Sequence, residues 1–252
     1  MRLKGKVAIV TGAGAGFGRG IAERFAEEGC AVVVNDLDIK AAKAAAAGIE
    51  KKKGKAVPIV ADVSSGPAVK KLIAGALKAF GRIDIVVNNA GVPQRNRPML
   101  EIDEQTFDKI YAVNVKSLYW TAMYAVPVMR RQGGGVFINT ASTAGVRPRP
   151  GLVWYNGSKG AAITITKSMA VELAPDNIRV CALNPVAGDT QMLAEFMGGE
   201  DTPEMRAKFI ASVPLGRLST PRDLANAALY LASDEANFIT GVCLEVDGGR
   251  CI

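Results

Sequence analysis

The chain has no histidine among its 252 residues, which excludes imidazole proton transfer, a Ser-His-Asp triad and a histidine-ligated metal. Aromatic residues make up only 6% of it, and the four cysteines, Cys30, Cys181, Cys243 and Cys251, never fall in a C-x-x-C spacing. Redox-pair and thiolate-metal chemistry therefore have no support, and the cysteines read as buried free thiols. No metal site is expected. No apolar run reaches the roughly 18–20 residues that a membrane-spanning helix needs, and Met1-Arg2-Leu3-Lys4-Gly5-Lys6 leads straight into a short apolar run. The expectation is a soluble, cytoplasmic protein with no membrane partner. Nothing resembles a Pro/Ser-rich linker or a charge-run boundary, so one domain over residues 1–252 is expected.

A net charge of +7 could attract nucleic acid, but the lysines are scattered. The densest run, Lys51-Lys52-Lys53 with Lys55, closes a predicted helix, where cations complement the helix dipole. No recognition module accompanies the charge, and no nucleic-acid partner is expected.

What is present is a recurrent alternation. Short β-branched runs at 7–10, 31–35, 56–60, 83–87, 136–139, 178–183 and 242–246 alternate with helical stretches near 17–28, 39–52, 66–80, 103–131, 153–174 and 221–232. That order predicts an α/β, doubly wound Rossmann fold with a seven-stranded parallel sheet, whose ligands sit beyond the carboxyl ends of the strands. Residues 188–216, bearing Met, Phe and Gly198-Gly199, fit no simple crossover and read as a substrate lid beside those strand ends.

The first strand runs into Thr11-Gly12-Ala13-Gly14-Ala15-Gly16-Phe17-Gly18. Backbone amides at the following helix start can face a pyrophosphate, and Gly12, Gly16 and Gly18 permit close approach. The spacing is Gly-x-x-x-Gly-x-Gly rather than Gly-x-Gly-x-x-Gly, because Phe17 occupies the third position. Asp36, at the end of the second strand, stands at the distance downstream at which an acid reaches adenosine ribose hydroxyls. Its carboxylate accepts from the 2′-hydroxyl of NAD and repels the 2′-phosphate of NADP. Ala15 and Leu37 are uncharged where an NADP site would want arginine, so NAD is the expected cofactor.

Tyr155 and Lys159 share a helix face four residues apart, thirteen residues beyond Ser142. A free phenol, with a pKa of about 10, is a poor base near neutrality. A nearby ammonium and a positively charged oxidised nicotinamide favour phenolate, which makes Tyr155 the expected general base.

These motifs resemble the short-chain dehydrogenase/reductase family across essentially the whole chain. The resemblance rests on Thr11-Gly12-x-x-x-Gly16-x-Gly18, Asp62-Val63, Asn88-Asn89-Ala90-Gly91, Asn114, Ser142, Tyr155-x-x-x-Lys159, and Asn184-Pro185 followed by Thr190. It implies that Asp62 and Val63 cradle the adenine and that Asn88, Ala90 and Gly91 line the cofactor. Pro185, Val186 and Thr190 would border the nicotinamide, with Thr190 at its carboxamide. Phe17 belongs to the same cofactor set. Ser142 would orient the substrate oxygen, Lys159 hold the nicotinamide ribose, and Asn114 support a water-mediated proton path. Val186 departs from the glycine usual after that proline. Trp154, before the tyrosine, is expected to pack at a subunit contact rather than shape the pocket.

The implied activity is NAD-dependent interconversion of a secondary alcohol and a ketone, with a sugar, polyol or hydroxy acid favoured as substrate. The alternatives are a 3-oxoacyl-ACP or CoA reductase and a non-catalytic cofactor-sensing protein on the same fold. Relatives assemble as tetramers through the helices near 103–131 and 153–174 and the last strand, so a homotetramer is expected. Arg95, Arg97, Arg147 and Arg149 occupy two loops at the carboxyl edge of the sheet, where one of them could grip an anionic substrate or all could be structural.

Overall fold

The computed structural model describes residues 1–190 and 192–252. Strands β1 (Val7–Val10), β2 (Ala31–Asp36), β3 (Lys55–Val60), β4 (Ile85–Asn88), β5 (Gly135–Thr140), β6 (Ile178–Pro185) and β7 (Cys243–Val246) form one sheet in the order β3-β2-β1-β4-β5-β6-β7. Every pairing is parallel, as expected of a Rossmann sheet. The central β1 and β4 are buried at every position because helices cover both faces of the sheet. The edge strands β3 and β7 are only partly covered, and β3 accommodates Pro58, which an interior strand would exclude.

The helices are α1 (Gly16–Glu27), α2 (Ile39–Lys51), α3 (Gly66–Phe80), α4 (Glu104–Tyr111), α5 (Ser117–Gln132), α6 (Val153–Leu173), α7 (Leu193–Phe196), α8 (Pro203–Ala211) and α9 (Pro221–Ala232). On one face, Ile21 and Phe25 of α1 meet Leu224 and Ala228 of α9 over β1, β2 and β6. On the other, Leu72 and Ile73 of α3 meet Ala125 and Met129 of α5 over β1, β4 and β5.

The helical stretch expected near 103–131 runs unbroken from Glu104 to Gln132 but changes its winding midway. A π-helical turn at Ala112–Lys116 separates α4 from α5. Asn114 lies within it, and its amide donates to the Val92 carbonyl at 3.0 Å while its Oδ1 accepts from the Val92 amide at 2.8 Å. The wide turn goes with this anchoring of a helix residue to a loop. Residues 188–216, expected to fit no crossover, carry the short helices α7 and α8.

Chain order reverses between β1 and β4: β1 pairs with β2 on one side and β4 on the other. The loops after these strands diverge and leave a crevice at the carboxyl edge. At the opposite edge the buried Asp84 carboxylate accepts from the Val7 amide at 2.8 Å and from Arg82 at 2.6 and 2.8 Å. Asp84→Ala should lower the unfolding free energy by about 2–3 kcal/mol, the scale of a lost charged hydrogen bond that leaves a buried amide unpaired. Urea titration of both proteins checks this.

Candidate active site

The loops after β1 and β4 are locked together before any ligand arrives. Thr11 Oγ1 accepts from the amides of Asn89 and Ala90, each at 3.0 Å, and Asn89 Nδ2 donates to the carbonyls of Thr11 and Gly12 at 2.9 and 3.2 Å. Gly12 and Gly16 take left-handed φ values of +61° and +54°, which explains glycine at both. A side chain at Gly18 would begin 2.2 Å from the Gly12 carbonyl oxygen. Gly18 therefore serves by letting α1 start against the turn and does not line the cleft. Ala15 gives α1 no side-chain cap, so its first amides stay available to an anion. A bare helix start behind a side-chain-free turn fits a dinucleotide pyrophosphate.

Asp36 closes one wall. Its Oδ2 accepts from the Gly14 amide at 2.9 Å and its Oδ1 from the Asp38 amide at 3.0 Å, which fixes the carboxylate at the cleft with exposed Leu37 beside it. Asp62, Val63, Ala90 and Gly91 line the same wall. Asn88, expected to line the cofactor, turns away. Its Nδ2 donates to Asn139 Oδ1 at 2.8 Å, and Asn139 Nδ2 donates to Thr166 Oγ1 at 2.9 Å. This buried chain ties β4 to β5 and α6, because a polar strand residue facing the interior needs a partner.

Tyr155 and Lys159 are both buried at the start of α6. Lys159 Nζ donates to the Thr140 carbonyl at the end of β5 at 2.8 Å and lies 5.7 Å from the Tyr155 ring centroid. Ser142 follows β5, accepts from the Ala144 amide at 3.0 Å, and faces the phenol. Asn114 sits behind Gly91 rather than in the cleft wall. Its Nδ2 is fully engaged by Val92 and by Ser158 Oγ at 3.1 Å. A Cβ at Gly91 would stand 3.3 Å from Asn114 Oδ1 and 3.6 Å from Lys159 Nζ, so Gly91 adjoins both side chains.

Burial pushes the Tyr155 phenol up to about 12, with Ser142 offsetting part of the rise, and burial brings the Lys159 ammonium down to about 8. In the free chain desolvation outweighs the ammonium, and phenolate is disfavoured.

One contributor has no sequence signal. Gln94, fully buried in the loop after β4, accepts on Oε1 from the amides of Trp154 and Tyr155 at 3.1 and 3.0 Å and donates from Nε2 to the Gly151 carbonyl at 2.9 Å. It caps α6 from 61 residues away and thereby fixes where Tyr155 begins. Trp154 packs edge-on against Phe107 of α4, 5.4 Å between centroids.

The cleft encloses about 990 Å³. Pro185, Val186 and Thr190 line it; Val186 is buried and lies outside the left-handed region, so valine strains nothing where the resembling family has glycine. Phe17 also lines it and packs on Gly188, where a Cβ would meet the ring at 2.1 Å. Phe196 of α7 stands 5.1 Å from Tyr155. Of the four loop arginines, Arg147 and Arg149 reach the cleft, joined by Arg250 from the end of the chain. Arg95 and Arg97 do not line it; Arg95 Nε donates to the Gly198 carbonyl at 2.8 Å. Among the described residues, no cluster of cysteine, aspartate or glutamate could hold a metal, and no helix is long and apolar enough to cross a membrane.

A switch-point crevice with a bare helix start on one side and a buried Tyr-Lys pair on the other defines a dinucleotide-dependent oxidoreductase of the Rossmann class. A family profile described as enoyl-(acyl carrier protein) reductase matches residues 12–250, and the chain belongs to the short-chain dehydrogenase/reductase family. It is 48% identical over 252 residues to 4-formylbenzenesulfonate dehydrogenase of Comamonas testosteroni, covering 100% of each chain. The structure of a 3-ketoacyl-(acyl-carrier-protein) reductase from Brucella melitensis complexed with NADH superposes with TM-score 0.93 at 45% identity, over 99% of this chain and 100% of that one. That of 7α-hydroxysteroid dehydrogenase complexed with NADH and 7-oxo glycochenodeoxycholic acid gives 0.92 at 37% identity, over 98% and 95%.

The depressed Lys159 value has a definite consequence for stability. Between about pH 8 and 10.5 the unfolded chain holds a proton on Lys159 that the folded chain has released, so folded stability gains as pH rises through that window. Wild type should gain about 3 kcal/mol relative to Lys159→Met across it, at 1.36 kcal/mol per pH unit. Denaturant titrations of the two proteins at pH 7.5 and 10.5 measure the difference.

Proposed function

We infer that the protein is an NAD(H)-dependent dehydrogenase/reductase interconverting an alcohol and its carbonyl compound. The observation that carries this reading is the single cleft shared by the glycine turn, Asp36, Ser142, Tyr155 and Lys159. Asp36 would take the adenosine ribose, Asp62 and Val63 the adenine, Ala90 and Gly91 the adjoining cofactor surface, and Thr190 the carboxamide. Bound NAD⁺ supplies the hydride acceptor and a positive ring charge that favours phenolate. Ser142 orients the substrate oxygen, and Tyr155 removes the hydroxyl proton in oxidation and returns it in reduction. Lys159 holds the ribose and stabilises the phenolate, while Asn114, one Oδ1 lone pair unused, can accept from a water behind the lysine. Residues 188–216 act as the substrate lid.

For substrate, the cleft lining includes Leu152, Phe196 beside Tyr155, Met197 and Phe209, which suit a body with an apolar face. The dehydrogenase at 48% identity is named for an aromatic aldehyde, in keeping with that lining. Hydroxy acids with apolar bodies fit it better than sugars or polyols, which need many polar partners. A second reading, 3-oxoacyl thioester reduction, gains from the Brucella neighbour, a 3-ketoacyl-(acyl-carrier-protein) reductase complexed with NADH. Turnover of aryl alcohols with NAD against acetoacetyl-CoA with NADH separates the two. The protein is also proposed to assemble as a homotetramer, for which exposed Tyr119 and Met123 on α5 and Val171 on α6 offer apolar surface; light scattering tests this.

Tyr155→Phe should lower kcat by at least about 100-fold, the scale of a lost general base, with the NAD dissociation constant within about twofold. Steady-state kinetics and calorimetric titration test the two halves separately. From Asp36, efficiency with NAD should exceed that with NADP by at least about tenfold, and Asp36→Ala with Leu37→Arg should narrow or invert that ratio. Comparing kcat/KM for both cofactors decides it.

A further inference from the structure

The substrate end of the cleft holds two guanidinium groups without a counter-charge. Arg149 donates from Nη2 to Ser212 Oγ at 3.1 Å and stacks 4.5 Å above the Phe209 ring, and its remaining donors have no protein partner among the described residues. Arg250 lines the same cleft, and its buried Nε and Nη1 have no hydrogen-bond partner among the described residues. Among the described residues, neither arginine has a carboxylate within ion-pair distance, although other arginines, such as Arg206 and Arg217, are paired. The neighbouring acid Asp247 is committed to the amides of Gly249 and Cys251 at 2.9 and 2.8 Å. Arg147 donates to the backbone oxygens of Arg250 and Ile252 at 2.7 and 3.2 Å, which ties this segment to the loop after β5.

Buried donors are ordinarily satisfied, and paired like charges in a partly apolar pocket are unfavourable unless an anion joins them. The Arg149 guanidinium holds its proton less tightly than usual because of burial and the neighbouring Arg250 charge. We propose that Arg149 and Arg250 form an oxyanion subsite that binds a carboxylate or sulfonate at the end of the substrate remote from the reacting carbon. This deepens the function inferred above by fixing the substrate class as an alcohol or carbonyl compound with an apolar body and a terminal monoanion. The planar forks of both residues suit such a group, and the apolar lining of the cleft suits the body.

The test uses non-reactive probes, so that it stands apart from turnover. Binding of 4-methylbenzoate, 4-methylbenzenesulfonate and the neutral 4-methylbenzamide is measured by calorimetry on the protein saturated with NADH. Wild type should bind at least one anion about tenfold or more tightly than the amide. Arg250→Met and Arg149→Met should each erase that preference while leaving amide binding within about twofold, with Arg149→Lys intermediate. Wild type binding the amide as well as both anions overturns the subsite, whatever the variants do. So does equal loss of acid and amide binding in folded variants. In parallel, 4-(hydroxymethyl)benzoate and 4-(hydroxymethyl)benzamide are assayed with NAD. Anion-selective binding without oxidation of either alcohol would contradict the inferred activity and leave the subsite standing, whereas turnover of both with no preference for the acid would do the reverse.

Discussion

The hydrogen bond from Lys159 Nζ to the Thr140 carbonyl is the contact on which the site depends. It runs from α6 to the carboxyl end of β5, so the helix carrying Tyr155 is registered against the strand that leads to Ser142. The parallel sheet then brings the glycine turn after β1 and the Asp36 end of β2 to the same edge. Gln94 sets the first turn of α6 from the loop after β4. Two strand ends therefore position the Tyr155 helix. A one-residue slip of α6 would rotate Tyr155 and Lys159 off the cleft together, by about 100°.

The same burial that gives this precision makes the free site electrostatically unfavourable. Neither the Lys159 ammonium nor a Tyr155 phenolate is well solvated, and no carboxylate lies within ion-pair distance of Lys159 among the described residues. Such a site is poised for a ligand that brings its own charge. The guanidinium pair at the far end of the cleft follows the same logic with opposite sign: Arg149 and Arg250 lack an anion there. Both ends of one cavity are incomplete in a way that names the charge required.

Much of this was legible in the sequence because the controlling interactions are local. β-branched runs mark the strands, left-handed turns demand Gly12 and Gly16, and a four-residue spacing puts Tyr155 and Lys159 on one face. The failures have a shared cause in long-range pairing. The π turn at Asn114 depends on Val92, the inward turn of Asn88 on Asn139 and Thr166, and the capping role of Gln94 on a helix 61 residues later. Arg250 carries no local signal, and only the fold reveals that it joins Arg147 and Arg149 while Arg95 and Arg97 turn elsewhere. The raised Tyr155 value in the free chain was not legible for a different reason: helix-face spacing reports proximity, but desolvation is a property of the whole packed site.

The central claim is that burial holds Tyr155 neutral in the free protein and that oxidised cofactor releases it. Ultraviolet difference titration of tyrosinate, with Tyr155→Phe subtracted to remove the other tyrosines, measures that directly. The account predicts ionisation of Tyr155 near pH 12 in the free protein and below about pH 10, the ordinary phenol value, with saturating NAD⁺. An unchanged titration midpoint on NAD⁺ binding would contradict it.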